Sequence, residues 1–169
     1  LGSRGLGDVY KRQGFLSAMN VSVYSYIAMA KRMVPLMAGH KASLLTLSYL
    51  GGEKVVPNYN TMGLCKAALE SATRYIAADV GPQGIRANTL SCGPIKTLAA
   101  SGIKGFSSML AQCKAVSPTR SLVSIDEVGN TAAFLLSDNS LGITAETIYI
   151  DGGFNALACC VDQTASENA

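Results

Sequence analysis

Short apolar, β-prone runs alternate along this chain with longer segments of helical period. Residues 15–37 are rich in Ala, Met, Leu and Lys, with Tyr24, Ile27, Ala28 and Lys31 at helical spacing. They predict one helix, irregular near Asn20. The run 43–49 predicts a buried strand. Residues 58–80 follow as a helix that Asn58 is placed to cap. Gly81, Pro82 and Gly84 mark a turn, and 85–91 reads as the next strand, broken by Gly93 and Pro94. Strand, helix, strand in this order implies a parallel, right-handed crossover. Ser124, with Glu127 three residues on, has the capping-box pattern for a helix that stops near Ser137. Thr147 to Ile150 is a last strand, closed by Asp151, Gly152 and Gly153, and a polar tail from Ala156 is expected to fray.

Residues 95–116 break this rhythm. Leu98, Ile103, Phe106, Met109 and Leu110 make the excursion more apolar than a plain surface loop. Two readings stand: a lid with short helices over an apolar ligand, or ordinary helix packing.

A length of 169 residues suffices for one domain with a core, and 49% hydrophobic against 15% charged residues excludes a disordered chain. A net charge of +3 is too small and too scattered to point to nucleic acid. No apolar run reaches the ~18 residues of a membrane span, and no secretory signal pattern is present. Cysteines 65, 92, 113, 159 and 160 have neither metal-ligand nor disulfide-framework spacing, so reduced thiols and no metal are expected. His40, between Gly39 and Lys41, has no partner in a motif and reads as solvated.

Candidate chemistry gathers between Tyr49 and Lys66. Tyr59 and Lys66 lie seven apart, so a helix returns them to nearly one face, and Tyr49 at the strand's C-terminal end can lean over it. Parallel sheets place ligands at that end of their strands. A phenol with a pKa of about 10 can donate to an oxygen that gains negative charge, and an ammonium beside it favours such charge. Spacing alone fits equally a packed tyrosine and a solvated helix lysine.

The surrounding residues decide between these. The segments Leu47-Ser-Tyr-Leu-Gly51, Pro57-Asn-Tyr-Asn-Thr-Met-Gly-Leu-Cys-Lys-Ala-Ala-Leu-Glu70 and Gly93-Pro-Ile-Lys-Thr-Leu-Ala-Ala-Ser-Gly-Ile103 closely resemble the NADH-dependent enoyl-[acyl-carrier-protein] reductases of bacterial fatty-acid synthesis. These form a divergent branch of the short-chain dehydrogenases/reductases. Ordinary members of that superfamily place Tyr and Lys four apart, whereas this branch places them seven apart with an extra Tyr upstream. The resemblance runs from about residue 14 to residue 155 and implies a Rossmann-like, doubly wound parallel sheet. Only its C-terminal half is visible, as three strands with flanking helices.

The resemblance also implies roles. Tyr59 would donate to the thioester oxygen during reduction of a trans-2-enoyl thioester. Lys66 would bind the nicotinamide ribose hydroxyls of NADH/NAD, and Tyr49 would be the second active-site tyrosine. Ile95, Lys96, Thr97, Leu98 and Ala99 would border nicotinamide and diphosphate. Met62, Ile103, Phe106 and Met109 would line the acyl channel. The implied partners are an acyl carrier protein and further copies of the chain, a homotetramer in the family, with helix 15–37 at the subunit interface. The implied setting is the bacterial cytoplasm. One departure weakens the carrier expectation: Lys104 is kept, but Ser107 and Ser108 stand where positive charge would meet an acidic carrier. A ketoacyl reductase of the same superfamily is disfavoured by the seven-residue spacing and by Tyr49. A catalytically inactive interaction fragment is the alternative from another class.

Residues 1–13 are set apart. Ser3 to Gln13 can be back-translated into a string resembling a transposase sequencing adapter, so the segment is expected to be foreign. Its Gly2, Gly5 and Gly7 imitate a dinucleotide loop, but no strand precedes them. The family's first βα units and their glycine-rich turn are not seen, so the chain is expected to be a fragment that self-associates and lacks NADH affinity on its own.

Overall fold

The computed structural model describes residues 11–95 and 106–158; of Phe106 it describes the backbone alone. Helix α1 (Arg12–Met19) passes through a π-helical turn at Asn20–Tyr24 into α2 (Ser25–Met37). The irregularity expected near Asn20 is thus one widened turn inside a continuous helical rod. Strand β1 (Ala42–Ser48) leads through a 3-10 turn at Leu50–Gly52 to α3 (Asn60–Val80) and β2 (Ile85–Cys92). Helix α4 (Phe106–Val116), helix α5 (Ile125–Leu136) and strand β3 (Thr147–Ile150) follow among the described residues, with a short 3-10 turn at Phe154–Ala156 where the expected tail begins.

The three strands form one parallel sheet in the order β1–β2–β3. Ala42 pairs with Ile85, and the register continues to Ser48 with Ser91. Because successive strand residues point to opposite faces, the two layers can be read from the contacts. Leu44, Ile85 and Ala87 pack with Ala30 of α2 and with Ala77 and Val80 of α3. Ser43, on the other face of β1, donates to the carbonyl of Leu135 in α5 at 3.0 Å. The sheet is therefore covered on both sides, as a doubly wound fold requires.

Strand β2 is the buried centre, and Leu90, Ala87, Asn88 and Thr89 have no exposed surface. A parallel strand buried on both faces is normally a hydrophobic run, yet this one carries Arg86, Asn88 and Thr89. Each is bonded. Asn88 donates to the carbonyl of Ile143 at 2.8 Å and accepts from the Glu146 amide at 3.1 Å. Arg86 donates to the carbonyls of Ile143 and Ser137. Thr89 donates to the Thr73 hydroxyl at 3.0 Å. The polar side of β2 thus fastens the loop that leads into β3, since buried polar groups are tolerated when paired.

Two expectations about helix starts fare differently. Ser124 caps α5 with the full reciprocal capping box to Glu127. Asn58 does not cap α3: it takes a left-handed φ of 66°, which Asn tolerates better than most residues. Tyr59 occupies the cap position without a side-chain bond. The chain reverses sharply at Asn58, which removes its side chain from the helix end.

Among the described residues β1 pairs only with β2, and its Leu47 is 52% exposed. The rod of α1 and α2 likewise exposes Val21, Tyr24, Met29 and Leu36. His40 is exposed, as expected.

Replacement of Asn88 by Ala removes the acceptor of the Glu146 amide and the donor to the Ile143 carbonyl, and leaves a void where a fully buried side chain stood. We expect a stability loss of about 1–3 kcal/mol, the usual cost of such a lost partner. Urea midpoints of the two chains test this, and an unchanged midpoint would refute the anchoring role.

Candidate active site

The candidate site forms where β1 ends. Tyr49 leaves the strand fully extended, and the 3-10 turn then folds the backbone down onto the start of α3. Glycines permit the contact. A β-carbon on Gly63 would lie 2.8 Å from the carbonyl oxygen of Gly51, and one on Gly51 would lie 2.8 Å from Cε1 of Tyr59. Real β-carbons do not approach so closely, so both positions require hydrogen. The Tyr59 ring consequently rests on the Gly51 backbone. It meets Tyr49 edge to face, with centroids 4.9 Å apart and an interplanar angle of 71°, a favourable aromatic geometry.

The two phenols share a half-buried setting. Burial raises the Tyr59 pKa to about 12, with Tyr49 and Cys65 adding to the effect. Burial also raises that of Tyr49, with Cys113 adding to it. Both groups therefore stay protonated through the neutral range and act as hydrogen-bond donors rather than bases. The Tyr49 hydroxyl lies 4.0 Å from the sulfur of Met109, so α4 closes over this tyrosine. Leu110 and Cys113 of the same helix are buried.

Lys66 is half-buried one turn and a half into α3. Its ammonium donates to the carbonyl of Leu47 at 2.8 Å, which ties α3 to the last residues of β1. Burial lowers its pKa, while Cys65, Cys92 and Glu70 oppose the fall. The anchored ammonium retains further donors, and a half-buried cation with two neutral phenols suits a diol beside an oxygen that gains charge.

Of the sequence-predicted residues, Tyr49, Tyr59 and Met109 come together directly, and Lys66 is held at the same strand end. Met62 accepts from Ser22 of the π-helical turn at 3.9 Å. Ile95 is half-buried after Pro94. Lys96, Thr97, Leu98, Ala99 and Ile103 lie outside the described residues, as does the side chain of Phe106. The lid reading of 95–116 thus meets the structure only in α4.

Sequence reasoning missed several groups. Ser48 is buried and donates to the Glu70 carboxylate, and Tyr149 of β3 donates to Glu53 in the turn. Lys54 donates to the Asn155 carbonyl. Glu70 had a readable signal, since it lies four residues after Lys66 on one helix face. Gly63 had another: glycine costs about 1 kcal/mol inside a helix and so marks a close approach.

The family profile described as enoyl-(acyl carrier protein) reductase matches residues 4–155. The chain belongs to this family. It is 55% identical over 147 residues to the NADH-dependent enoyl-[acyl-carrier-protein] reductase FabI of Escherichia coli, covering 87% of this chain and 56% of that protein. To the Bacillus subtilis enzyme of the same name it is 49% identical over 147 residues, 87% of this chain and 57% of the relative. The crystal structure of the Aquifex aeolicus reductase superposes with a TM-score of 0.86 at 46% identity, over 92% of this chain and 60% of that one. The Bacillus cereus reductase, solved with NADP+ and an indole naphthyridinone, gives 0.84 at 44% identity over 88% and 58%. The chain therefore spans a little over half the length of the enoyl reductases it matches. No helix among the described residues is long and apolar enough to cross a membrane. Nor does any group of three or more His, Cys, Asp or Glu among them suit a metal ion.

The raised Tyr59 pKa has a consequence for stability. A phenol of about 10 in the unfolded chain and about 12 in the folded one leaves stability intact below the lower value. Stability is then lost as pH rises toward the upper one. Phenolate absorbance should show late-titrating tyrosines, and Tyr59→Phe should remove one of them and lessen the alkaline loss. An unchanged late amplitude would mean that Tyr59 is not the protected phenol.

Proposed function

We propose that this chain carries the substrate-reducing half of an enoyl-[acyl-carrier-protein] reductase, which converts trans-2-enoyl thioesters to acyl thioesters with NADH. The observation that carries the reading is the pair of half-buried, neutral phenols packed edge to face beside an anchored ammonium, on a chain of this family.

When bound, NADH would supply the hydride to C3 of the enoyl group and leave as NAD+, and a proton drawn from solvent to C2 would complete the acyl thioester. The chain's own residues answer the charge that follows. Negative charge accumulates on the thioester oxygen, and Tyr59, held protonated by burial, donates a hydrogen bond to it. Its rigid seat on Gly51 means the donor need not reorganise as charge develops, which is the main source of such stabilisation. Lys66 holds the ribose hydroxyls with the donors left over from Leu47, and its charge favours the same anion. Tyr49 lines the site beside the thioester and limits how far Tyr59 can turn.

Ile95, Lys96, Thr97, Leu98 and Ala99 would border the nicotinamide and diphosphate. Met62, Ile103, Phe106 and Met109 would form the acyl channel, a role the contact of Met109 with Tyr49 supports. The acyl chain would arrive on an acyl carrier protein, in the bacterial cytoplasm. The apolar face of the α1–α2 rod supports a homo-oligomer, a tetramer by family likeness.

The test is a chimera that joins residues 14–169 to the portion of the Escherichia coli relative outside the match, assayed for NADH oxidation with a crotonyl thioester. A folded chimera without turnover would refute the proposal. In the active chimera, Tyr59→Phe should lower kcat by about 100- to 1000-fold, the usual effect of losing one oxyanion donor. Wild-type kcat in that variant would exclude the donor role. Lys66→Ala should weaken NADH binding as well as turnover. Cofactor affinity unchanged by calorimetry would rule out the ribose contact.

A further inference from the structure

The turn that closes β3 is bonded on three sides. The buried carboxylate of Asp151 accepts from the backbone amides of Gly153 at 2.9 Å and Asn155 at 2.8 Å, so one side chain shapes the whole turn. On the first side, the carbonyl of Ile150 accepts from the Gly93 amide at the end of β2, at 2.8 Å. On the second, the carbonyl of Gly152 accepts from the Thr119 amide just beyond α4, at 3.2 Å. A β-carbon on Gly153, whose φ is 84°, would lie 2.8 Å from Cγ of Pro118, so the turn is seated on that proline. The third side faces the candidate site. There the Asn155 carbonyl accepts from the Lys54 ammonium, and the Tyr149 hydroxyl donates to the Glu53 carboxylate.

Glu53 and Lys54 belong to the connection between the two site phenols, which Tyr49 precedes and Tyr59 follows. The amides of Gly52, Glu53 and Lys54 bond back to the carbonyls of Tyr49 and Leu50. The two clasped side chains therefore leave a closed turn, and they move only if it moves. Both clasps have one ionised partner, the stronger class of hydrogen bond. Helix α4, whose end rests on the same hub, places Met109 against Tyr49. One short segment thus touches both the floor and the cover of the site.

We infer that segment 149–155 positions the site, with Asp151 as its central positioning residue. It holds the turn beneath the phenols and the end of the helix above them in one fixed relation. The inference deepens the proposed function and rests on that reading for its catalytic meaning, whereas its physical content concerns the order of two backbone stretches.

Amide hydrogen exchange of the 169-residue chain, read by mass spectrometry on short peptides, tests this without cofactor or turnover. Tyr149→Phe removes the donor to Glu53 and leaves the 151–155 turn intact. It should speed exchange at 52–54 by about 3- to 10-fold, the effect of one lost hydrogen bond on local opening, with 117–120 unchanged. Asp151→Ala undoes the turn itself and should speed both stretches together. Asp151→Asn keeps an acceptor for one of the two amides and should restore part of the protection. Strand β2 should exchange as in the unmodified chain throughout. A merely structural Asp151 predicts either faster exchange confined to 153–156 or a rise everywhere, β2 included. Both patterns overturn the inference, as does unchanged exchange at 52–54 in Tyr149→Phe. Should Asp151→Ala fail to fold, Tyr149→Phe and Asp151→Asn decide alone. In the active chimera, Tyr149→Phe should lower kcat by about 3- to 10-fold, short of the ~100-fold that a full ångström of misplacement costs, with NADH affinity kept. Wild-type kcat there overturns the positioning role. A chimera without turnover strikes the proposed function, and the exchange result then decides the coupling.

Discussion

The backbone contact between Gly51 and Gly63 is the constraint on which the site depends. It lets the turn after β1 lie directly on the first turn of α3, with no side chain between them. Every other feature follows from that closeness. Tyr59 finds a flat backbone seat, Tyr49 meets it edge to face, and Lys66 and Glu70 can reach back to consecutive residues of β1. A methyl group on Gly63 would press on the Gly51 carbonyl and push strand end and helix apart, and one on Gly51 would displace the Tyr59 ring from its seat. Glycine in the first helical turn costs conformational entropy, and here that cost is offset by the approach it permits.

The sheet holds this junction rigid by dividing its labour between two faces. Toward α2 and α3 the strands present Leu44, Ile85 and Ala87 as an apolar contact, with Thr89 and Ser48 bonded to Thr73 and Glu70 nearer the strand ends. Toward α5 and the 137–146 segment they present Ser43, Arg86 and Asn88, and the contact is hydrogen-bonded. Apolar packing is tolerant of small slips, whereas hydrogen bonds fix register. The strand that carries Tyr49 pairs with β2 through its full length, so the register that Asn88 fixes on β2 is passed to the strand end where the site lies.

Much of this was legible in residue pattern. All three strands, the capping box of α5 and the irregular turn at Asn20 lay close to where period and cap chemistry put them, because each depends on local chain preference. The grouping of Tyr49 and Tyr59 was legible too, since strand end and helix start are joined by a short connection. Asn58 misled: its side chain is a good cap, but the tight reversal before α3 demanded a left-handed residue, and that backbone demand prevailed. The polar character of β2 and the bonds of Ser48, Glu53 and Glu70 were hidden for a different reason. Their partners lie between 16 and 96 residues away in sequence, and only the closed fold brings them together.

The electrostatics of the site follow from its degree of burial. Full burial would strip Lys66 of its charge, and full exposure would surround the phenols with water and weaken them as preorganised donors. The structure sits between these limits. Tyr49, Tyr59 and Lys66 are all half-buried, and burial acts on each in the direction that favours the neutral form. Under the proposed function the neutral form is the one the phenols need, so burial alone prepares them. The same function needs the lysine charged, and there burial is opposed by Cys65, Cys92 and Glu70, while the bond to the Leu47 carbonyl keeps the ammonium at the strand end.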